Sequence, residues 1–120
     1  MKTKLLENGI TVALAQMPVV AGNPRANADW MITEISKAIS RSVDIIVFPE
    51  LAVPGYVIGD MPEDESFVRD VWGQNWRVRN ATAATSIVVI FGSYGVFSDP
   101  STVGEDGRIR KVNAGFVVQN

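Results

Sequence analysis

The chain has 120 residues, of which 47% are hydrophobic and 20% charged, a composition that fits one globular domain and argues against a disordered segment. Eleven Lys and Arg against 13 Asp and Glu give a net charge of -2, so no excess of positive charge exists to bind nucleic acid. The sequence contains no Cys and no His, which excludes disulfides, thiol nucleophiles, Cys/His zinc sites and imidazole bases within these residues.

No apolar run reaches the roughly 18 residues that a membrane span requires, so we expect no membrane partner. The apolar stretch near the start, Ile10 to Ala15, is short for the hydrophobic region of a signal peptide. We therefore predict a cytoplasmic protein.

The first half of the chain predicts a β-α-β unit. The run Ile10 to Met17 is mostly apolar and is typical of a buried strand. A helix follows, for which Asn23 or Asn27 can be the cap and Pro24 suits the first turn. One helical face carries the apolar residues Ala28, Met31, Ile32, Ile35, Ala38 and Ile39. Asp44 to Phe48 is wholly apolar after its first residue, which predicts a second strand covered on both faces.

The second half predicts a further helix and two more strands. The helix extends from about Asp64 to Thr82, although Gly73 is unfavourable within it. Ser86 to Phe91 predicts another doubly covered strand, ending at Gly92, and Lys111 to Gln119 predicts a last strand that can pair with it as a hairpin. Strands joined by helical crossovers are parallel, with right-handed connections, so the predicted fold class is α/β.

Glu50 is the candidate for chemistry because it directly follows the second predicted strand. Ligands of open α/β sheets bind beyond the carboxyl ends of the strands. Burial of this carboxylate without a nearby cation would raise its pKa and make it a base near neutral pH. The alternative is a solvated loop glutamate that caps a backbone amide.

An acidic cluster after the second strand offers a metal site as an alternative. It consists of Asp60, Glu63, Asp64 and Glu65. Acidic residues at the start of a helix explain it better, because they interact favourably with the positive end of the helix dipole. We predict no metal.

Several short motifs, in order along nearly the whole chain, resemble the nitrilase (carbon–nitrogen hydrolase) superfamily. They are Ala15-Gln16, Gly22 with Asn27, Phe48-Pro49-Glu50, Gly55-Tyr56, Ile90-Phe91-Gly92 and Asn113-Ala114. Within the superfamily, the stretches Val53 to Asp60 and Gly104 to Lys111 resemble the glutaminase domain of glutamine-dependent NAD synthetases.

The resemblance implies a four-layer α-β-β-α sandwich and a Glu-Lys-Cys triad that hydrolyses a carbon–nitrogen amide bond. Glu50 would be the general base and Tyr56 a substrate-binding residue, with glutamine or another small amide as substrate. The released ammonia would serve NAD synthesis. No cofactor is implied for the amidohydrolase part, since ATP and Mg would belong to a synthetase domain that is absent from this sequence.

The sequence departs from the family pattern in the other two triad members. The family's Lys follows the strand that begins at Asn113, so its role does not transfer to Lys111, and its Cys comes later still. We expect residues 1–120 to be the N-terminal portion of such a domain, truncated before both, and inactive alone.

A partial sandwich leads to one further expectation, and two alternative functions remain. Its uncovered sheet would favour self-association or pairing with a complementing segment. A non-catalytic α/β interaction module that keeps the family pattern stays open as an alternative. A flavodoxin-like nucleotide binder fits the β-α-β order but lacks a phosphate-binding loop.

Overall fold

The computed structural model describes residues 9–96, 104 and 106–120. Its regular elements are β1 (Val12–Leu14), α1 (Pro24–Ser40), β2 (Ile45–Val47), a 3-10 turn (Met61–Glu63), α2 (Glu65–Asn80), β3 (Val88–Val96) and β4 (Lys111–Val118). The two predicted helices and four predicted strands are therefore all present. Most of the polar segment between β3 and β4 lies outside the described residues.

The four strands form one sheet in the order β1-β2-β3-β4. β1, β2 and β3 are mutually parallel, and β3 and β4 form an antiparallel hairpin. Consecutive parallel strands with right-handed crossovers place both helices on the same face of the sheet. The α/β fold class is confirmed, and the described residues supply two layers, one of helices and one sheet.

Both helices begin at side-chain caps. The Asn23 side chain accepts a hydrogen bond from the backbone N–H of Ala26, so Asn23, and not Asn27, is the cap of α1. Asp64 caps α2 by accepting from the backbone N–H of Ser66 at 2.8 Å. Gly73 lies inside α2 without ending it, because buried apolar side chains on both sides of it anchor the helix.

The core lies between the helices and one face of the sheet. Met31 and Ile35 of α1 and Val71 and Val78 of α2 are all at most 1% exposed and pack in one cluster with the sheet. Each strand alternates between this covered face and the opposite one. Burial of about a dozen such side chains is the main stabilisation of the fold.

The opposite face of the sheet, the open face, is not covered by any described element. It carries Val12, Leu14, Ile45, Val47, Val88, Ile90 and Val117, as strand register and alternation require. Leu14 is 76% exposed and Val117 is 70% exposed, whereas the residues of β2 and β3 on this face are partly buried. Within the described residues, β2 and β3 are therefore covered by helices on one face only, which differs from the predicted cover on both faces.

Strand lengths also differ from the predictions. The first strand covers only Val12–Leu14, and it lies at the sheet edge, so the prediction of a buried strand over Ile10 to Met17 is wrong. The third strand does not end at Gly92 but continues to Val96. The hairpin with β4 supplies backbone partners for this extension, from Gly92 opposite Gly115 to Val96 opposite Lys111.

None of the helices in the described ranges combines the length and the apolar character that crossing a membrane requires.

Candidate functional site

The backbone after β2 carries Glu50 across the end of the sheet. Beyond the regular strand, Phe48 N–H donates to the Ile90 carbonyl at 2.8 Å and Gly92 N–H donates to the Pro49 carbonyl at 3.2 Å. The chain thus stays on β3 up to Pro49 and then turns. The structure places Glu50 at the carboxyl end of β2, where its sequence position predicted it.

Gly92 is the residue that permits this path. A Cβ atom at position 92 would lie 2.4 Å from the backbone nitrogen of Leu51 and 2.6 Å from the Cα of Glu50. Both are backbone atoms, which cannot rotate away as a side chain could. The absence of a side chain at Gly92 therefore lets the Glu50 backbone lie directly against β3.

Glu50 faces an open cleft of about 350 Å³ between two loops. The β1–α1 loop supplies one wall and the loop after β2 supplies the other; the lining residues are Met17, Val19, Ala21, Pro49, Glu50 and Tyr56. The cleft lies beyond the carboxyl ends of β1 and β2, which is the usual position of ligand sites in open α/β sheets.

Two neighbouring side chains hold the Glu50 carboxylate. The Tyr56 hydroxyl hydrogen-bonds to it, and Asn113 Nδ2 donates to its Oε1 at 2.5 Å. These hydrogen bonds, that of Tyr56 first, lower the pKa of Glu50 below 4.5 and outweigh the small opposing effect of burial. The expectation of a raised pKa is wrong for the described residues, because Glu50 is exposed to solvent.

Tyr56 and Glu50 influence each other. The hydrogen bond to Glu50, followed by burial and the nearby negative charge, raises the pKa of Tyr56 above 10.0. The phenol is therefore neutral at physiological pH and stays a hydrogen-bond donor to the carboxylate. The structure brings together the two residues that the sequence singled out, and Tyr56, at 51% exposure, can also be reached from the cleft.

Asn113 is a site residue that the sequence analysis did not identify. It lies opposite Tyr94 near the start of β4, 63 residues from Glu50 in the chain. The start of an antiparallel strand shares a sheet edge with the ends of the parallel strands. Asn113 is the one uncharged polar residue of β4, where every other residue except Lys111 is apolar or glycine. That pattern, combined with the predicted hairpin, would have indicated its position.

Residues of the acidic cluster before α2 are engaged in other interactions. Asp64 uses its carboxylate to cap α2 through the backbone N–H and hydroxyl of Ser66, and those hydrogen bonds lower the pKa of Asp64. Glu63 pairs with Arg108. In residues 9–96, 104 and 106–120, no three acidic, His or Cys side chains are arranged to hold a metal ion. Lys111 lines a different cavity, beside Glu63 and Arg108.

Fold and site together define an α/β protein with a hydrogen-bonded carboxylate at the ends of its parallel strands. Residues 11–120 match the family model described as carbon-nitrogen hydrolase. The chain belongs to this family, which confirms the resemblance to the nitrilase superfamily.

Individual relatives agree with this assignment. The chain is 40% identical over 50 residues to the glutamine-dependent NAD(+) synthetase of Acinetobacter baylyi, a match that covers 42% of this chain and 9% of that protein. The structure of glutamine-dependent NAD+ synthetase from Acinetobacter baumannii, in complex with ADP, is similar with a TM-score of 0.71 and 28% identity, covering 90% of this chain and 18% of that one.

A nitrilase-superfamily amidase from Nesterenkonia shares the fold, with a TM-score of 0.65 and 20% identity over 93% of this chain and 44% of that one. The chain thus spans less than a fifth of the NAD synthetases that it matches and less than half of the amidase.

Proposed function

We propose that residues 1–120 are the N-terminal portion of a glutamine amidohydrolase domain that supplies ammonia for NAD synthesis, with Glu50 as its general base. The observation that carries the proposal is the position of Glu50 in a cleft at the strand ends, inside a segment that matches the carbon-nitrogen hydrolase family. The similarity to NAD synthetases, whose names specify glutamine dependence, supports glutamine as the substrate.

The proposed role of Glu50 is proton transfer. A thiol attacks the side-chain amide carbon of glutamine, Glu50 takes the thiol proton and passes it to the departing ammonia, and water then hydrolyses the thioester. The chain contains no cysteine, so the thiol must come from residues outside these 120. A lysine, likewise supplied from outside, would stabilise the oxyanion of the tetrahedral intermediate.

The pKa of Glu50 is compatible with a role as general base, both in the open cleft and after enclosure of the cleft. The lowered pKa of Glu50 keeps the carboxylate ionised at neutral pH, so it can accept a proton. Enclosure of the cleft by further protein would exclude water and raise that pKa, which would make the carboxylate a stronger base. Tyr56 would orient the carboxylate through its hydroxyl and contact the substrate with its exposed surface.

A chimera tests the proposal. The segment of the Acinetobacter baumannii enzyme that aligns with this chain is replaced by residues 1–120, and ammonia release from glutamine is measured. We expect the chimera to release ammonia, while this chain alone and the remainder of the bacterial enzyme alone do not. A chimera that folds, as judged by circular dichroism, and releases no ammonia would contradict the proposal.

The second candidate function is a non-catalytic interaction module. The exposed apolar side chains of the open face favour it, because contiguous apolar surface of this kind marks an interaction site. Both candidates entail association, with a second copy or with a complementing segment, through the open face. Ammonia release by the chimera distinguishes them, since a module that has lost its chemistry would give none. The cytoplasmic location stays a prediction.

A further inference from the structure

The two walls of the Glu50 cleft come from separate loops. Val19 and Ala21 belong to the β1–α1 loop, whereas Pro49, Glu50 and Tyr56 belong to the loop after β2. Loops that are held only at their ends move on the nanosecond to microsecond scale. The shape of the cleft therefore depends on what connects one loop to the other.

The side chain of Asn27 makes such a connection. Asn27 lies in the first turn of α1 and is 1% exposed. Its Oδ1 accepts a hydrogen bond from the backbone N–H of Val20 at 2.8 Å, and its Nδ2 donates to the carbonyls of Val20 at 2.8 Å and Val53 at 2.9 Å. Val20 is in the first loop and Val53 in the second. One buried amide thus uses both of its donors and its acceptor to bridge the two walls.

The same two loops approach closely at a glycine. The backbone N–H of Gly22 donates to the Pro54 carbonyl at 3.0 Å, which adds a direct link between the loops. Gly55 has φ +86, and a Cβ atom there would lie 2.8 Å from the Cα of Ala21. The backbones can meet at this distance only because residue 55 has no side chain.

We propose that Asn27 is a positioning residue of the Glu50 cleft, whose side-chain amide fixes the separation between the β1–α1 loop and the loop after β2, which carries both Glu50 and Tyr56. This role is distinct from helix capping, which Asn23 performs. The proposal rests on the proposed function in one respect, namely that the cleft is a substrate site. Replacing the amide removes three hydrogen bonds, of which the one to Val53 is buried and the two to Val20 are partly buried, and leaves the Val20 and Val53 groups without these partners.

NMR titration of the Glu50 carboxylate in the 120-residue chain tests the proposal. Asn27→Ala releases the loop after β2 at Val53, and Gly55→Ala pushes it away from Ala21. Both points lie between Glu50 and Tyr56 in that loop, so we expect each variant to displace Tyr56 from Glu50 and to break their hydrogen bond. We expect the pKa of Glu50 to rise toward 4.5 in both variants. Should Asn27→Ala be too unstable to titrate, Asn27→Ser keeps an acceptor but loses both amide donors, and the same rise is expected.

Two controls separate positioning from general stability. Asn75 is 5% exposed and uses its side chain to hold α2 to Ser93 and to the Tyr94 carbonyl, and none of these three residues lines the cleft or touches its two loops through this contact. Gly73 lies in α2, where a Cβ atom would contact nothing. Asn75→Ala and Gly73→Ala should leave the pKa of Glu50 unchanged, even though Asn75→Ala lowers the free energy of unfolding.

Three results would overturn the proposal. They are an unchanged Glu50 titration in Asn27→Ala or Asn27→Ser, an equal shift in Asn75→Ala, and unfolding of both cleft variants while the controls remain folded. The last result would mean that the Asn27 hydrogen bonds stabilise the whole domain and do not specifically position the cleft. The titration needs neither glutamine nor a thiol, so failure of the chimera to release ammonia would not change the result of the titration. An unchanged titration would likewise leave the ammonia-release assay unaffected.

Discussion

The close approach of Glu50 to β3 gives the sharpest prediction for the site. Gly92→Ala would place a Cβ atom 2.4 Å from the Leu51 nitrogen and 2.6 Å from the Glu50 Cα, where ordinary contacts begin at 3.4 Å. The Glu50 backbone must therefore move by about 1 Å, and no flexible side chain can absorb the change. Overpacking of this kind costs about 3 kcal/mol, the upper end of its usual range.

The hairpin supplies a matched control for this substitution. Gly115 is the register partner of Gly92 on β4, and a Cβ atom at position 115 would contact nothing within 4 Å. Alanine is favoured over glycine within a strand, so Gly115→Ala should stabilise the protein by about 0.5 kcal/mol. Both variants keep the chemistry of the substitution the same and differ only in what the new methyl group meets.

Urea unfolding followed by tryptophan fluorescence measures both free energies, and NMR titration of Glu50 measures the local effect. In Gly92→Ala, displacement of the backbone should break the hydrogen bond from Asn113, so the pKa of Glu50 rises toward 4.5. Equal stabilities of Gly92→Ala and Gly115→Ala, or an unchanged Glu50 titration in Gly92→Ala, would refute this explanation of the site.

Three more predictions address the cleft loop and the open face. Tyr56→Phe should raise the pKa of Glu50 toward 4.5, whereas Tyr94→Phe should not. A carboxylate whose pKa is lower in the folded state stabilises the protein above its unfolded-state pKa, and this stabilisation is lost as the pH falls through its folded-state pKa. Tyr56→Phe should therefore also weaken the acid dependence of stability, as measured by urea unfolding from pH 7 to 3. Val57 is 96% exposed with φ 56, so Val57→Gly should relieve backbone strain and stabilise by about 0.5–1 kcal/mol; a loss of stability in urea would contradict this. Leu14→Lys should reduce self-association in sedimentation velocity, while Val57→Lys, outside the sheet, should not; equal sedimentation of the two variants would argue against association through the open face.

The elements of the fold were predictable because each has a local signal. The apolar periodicity of α1 and the acidic start of α2 fixed both helices to within a few residues. The order of strands and helices fixed the parallel arrangement and therefore the edge of the sheet at which Glu50 emerges. Tyr56 was named from the family resemblance of the Gly55-Tyr56 motif, six residues after Glu50, and its substrate-binding role stays a prediction.

Other features were not predictable because they depend on contacts between distant segments. The extension of β3 to Val96 requires β4 as a partner, and the Asn113–Glu50 hydrogen bond requires the hairpin register. The pKa of Glu50 is lowered, whereas burial was expected to raise it. Solvent exposure and hydrogen bonds from Tyr56 and Asn113 determine the shift, and one stretch of sequence reveals neither. Asn27 was one of two candidates for the helix cap, with Asn23, from its sequence position, whereas its burial determines its actual contacts.

The central claim, that Glu50 acts as the general base, is tested most directly by one comparison in the chimera with the Acinetobacter baumannii enzyme. Glu50→Gln keeps the shape of the side chain and removes its basicity, while Glu65→Gln makes the same change at an exposed residue of α2 that forms an ion pair with Arg69. We predict that Glu50→Gln lowers kcat for ammonia release from glutamine by about 10²–10⁴-fold and that Glu65→Gln leaves it unchanged. Equal kcat values for the two variants would contradict the assignment of Glu50 as the base.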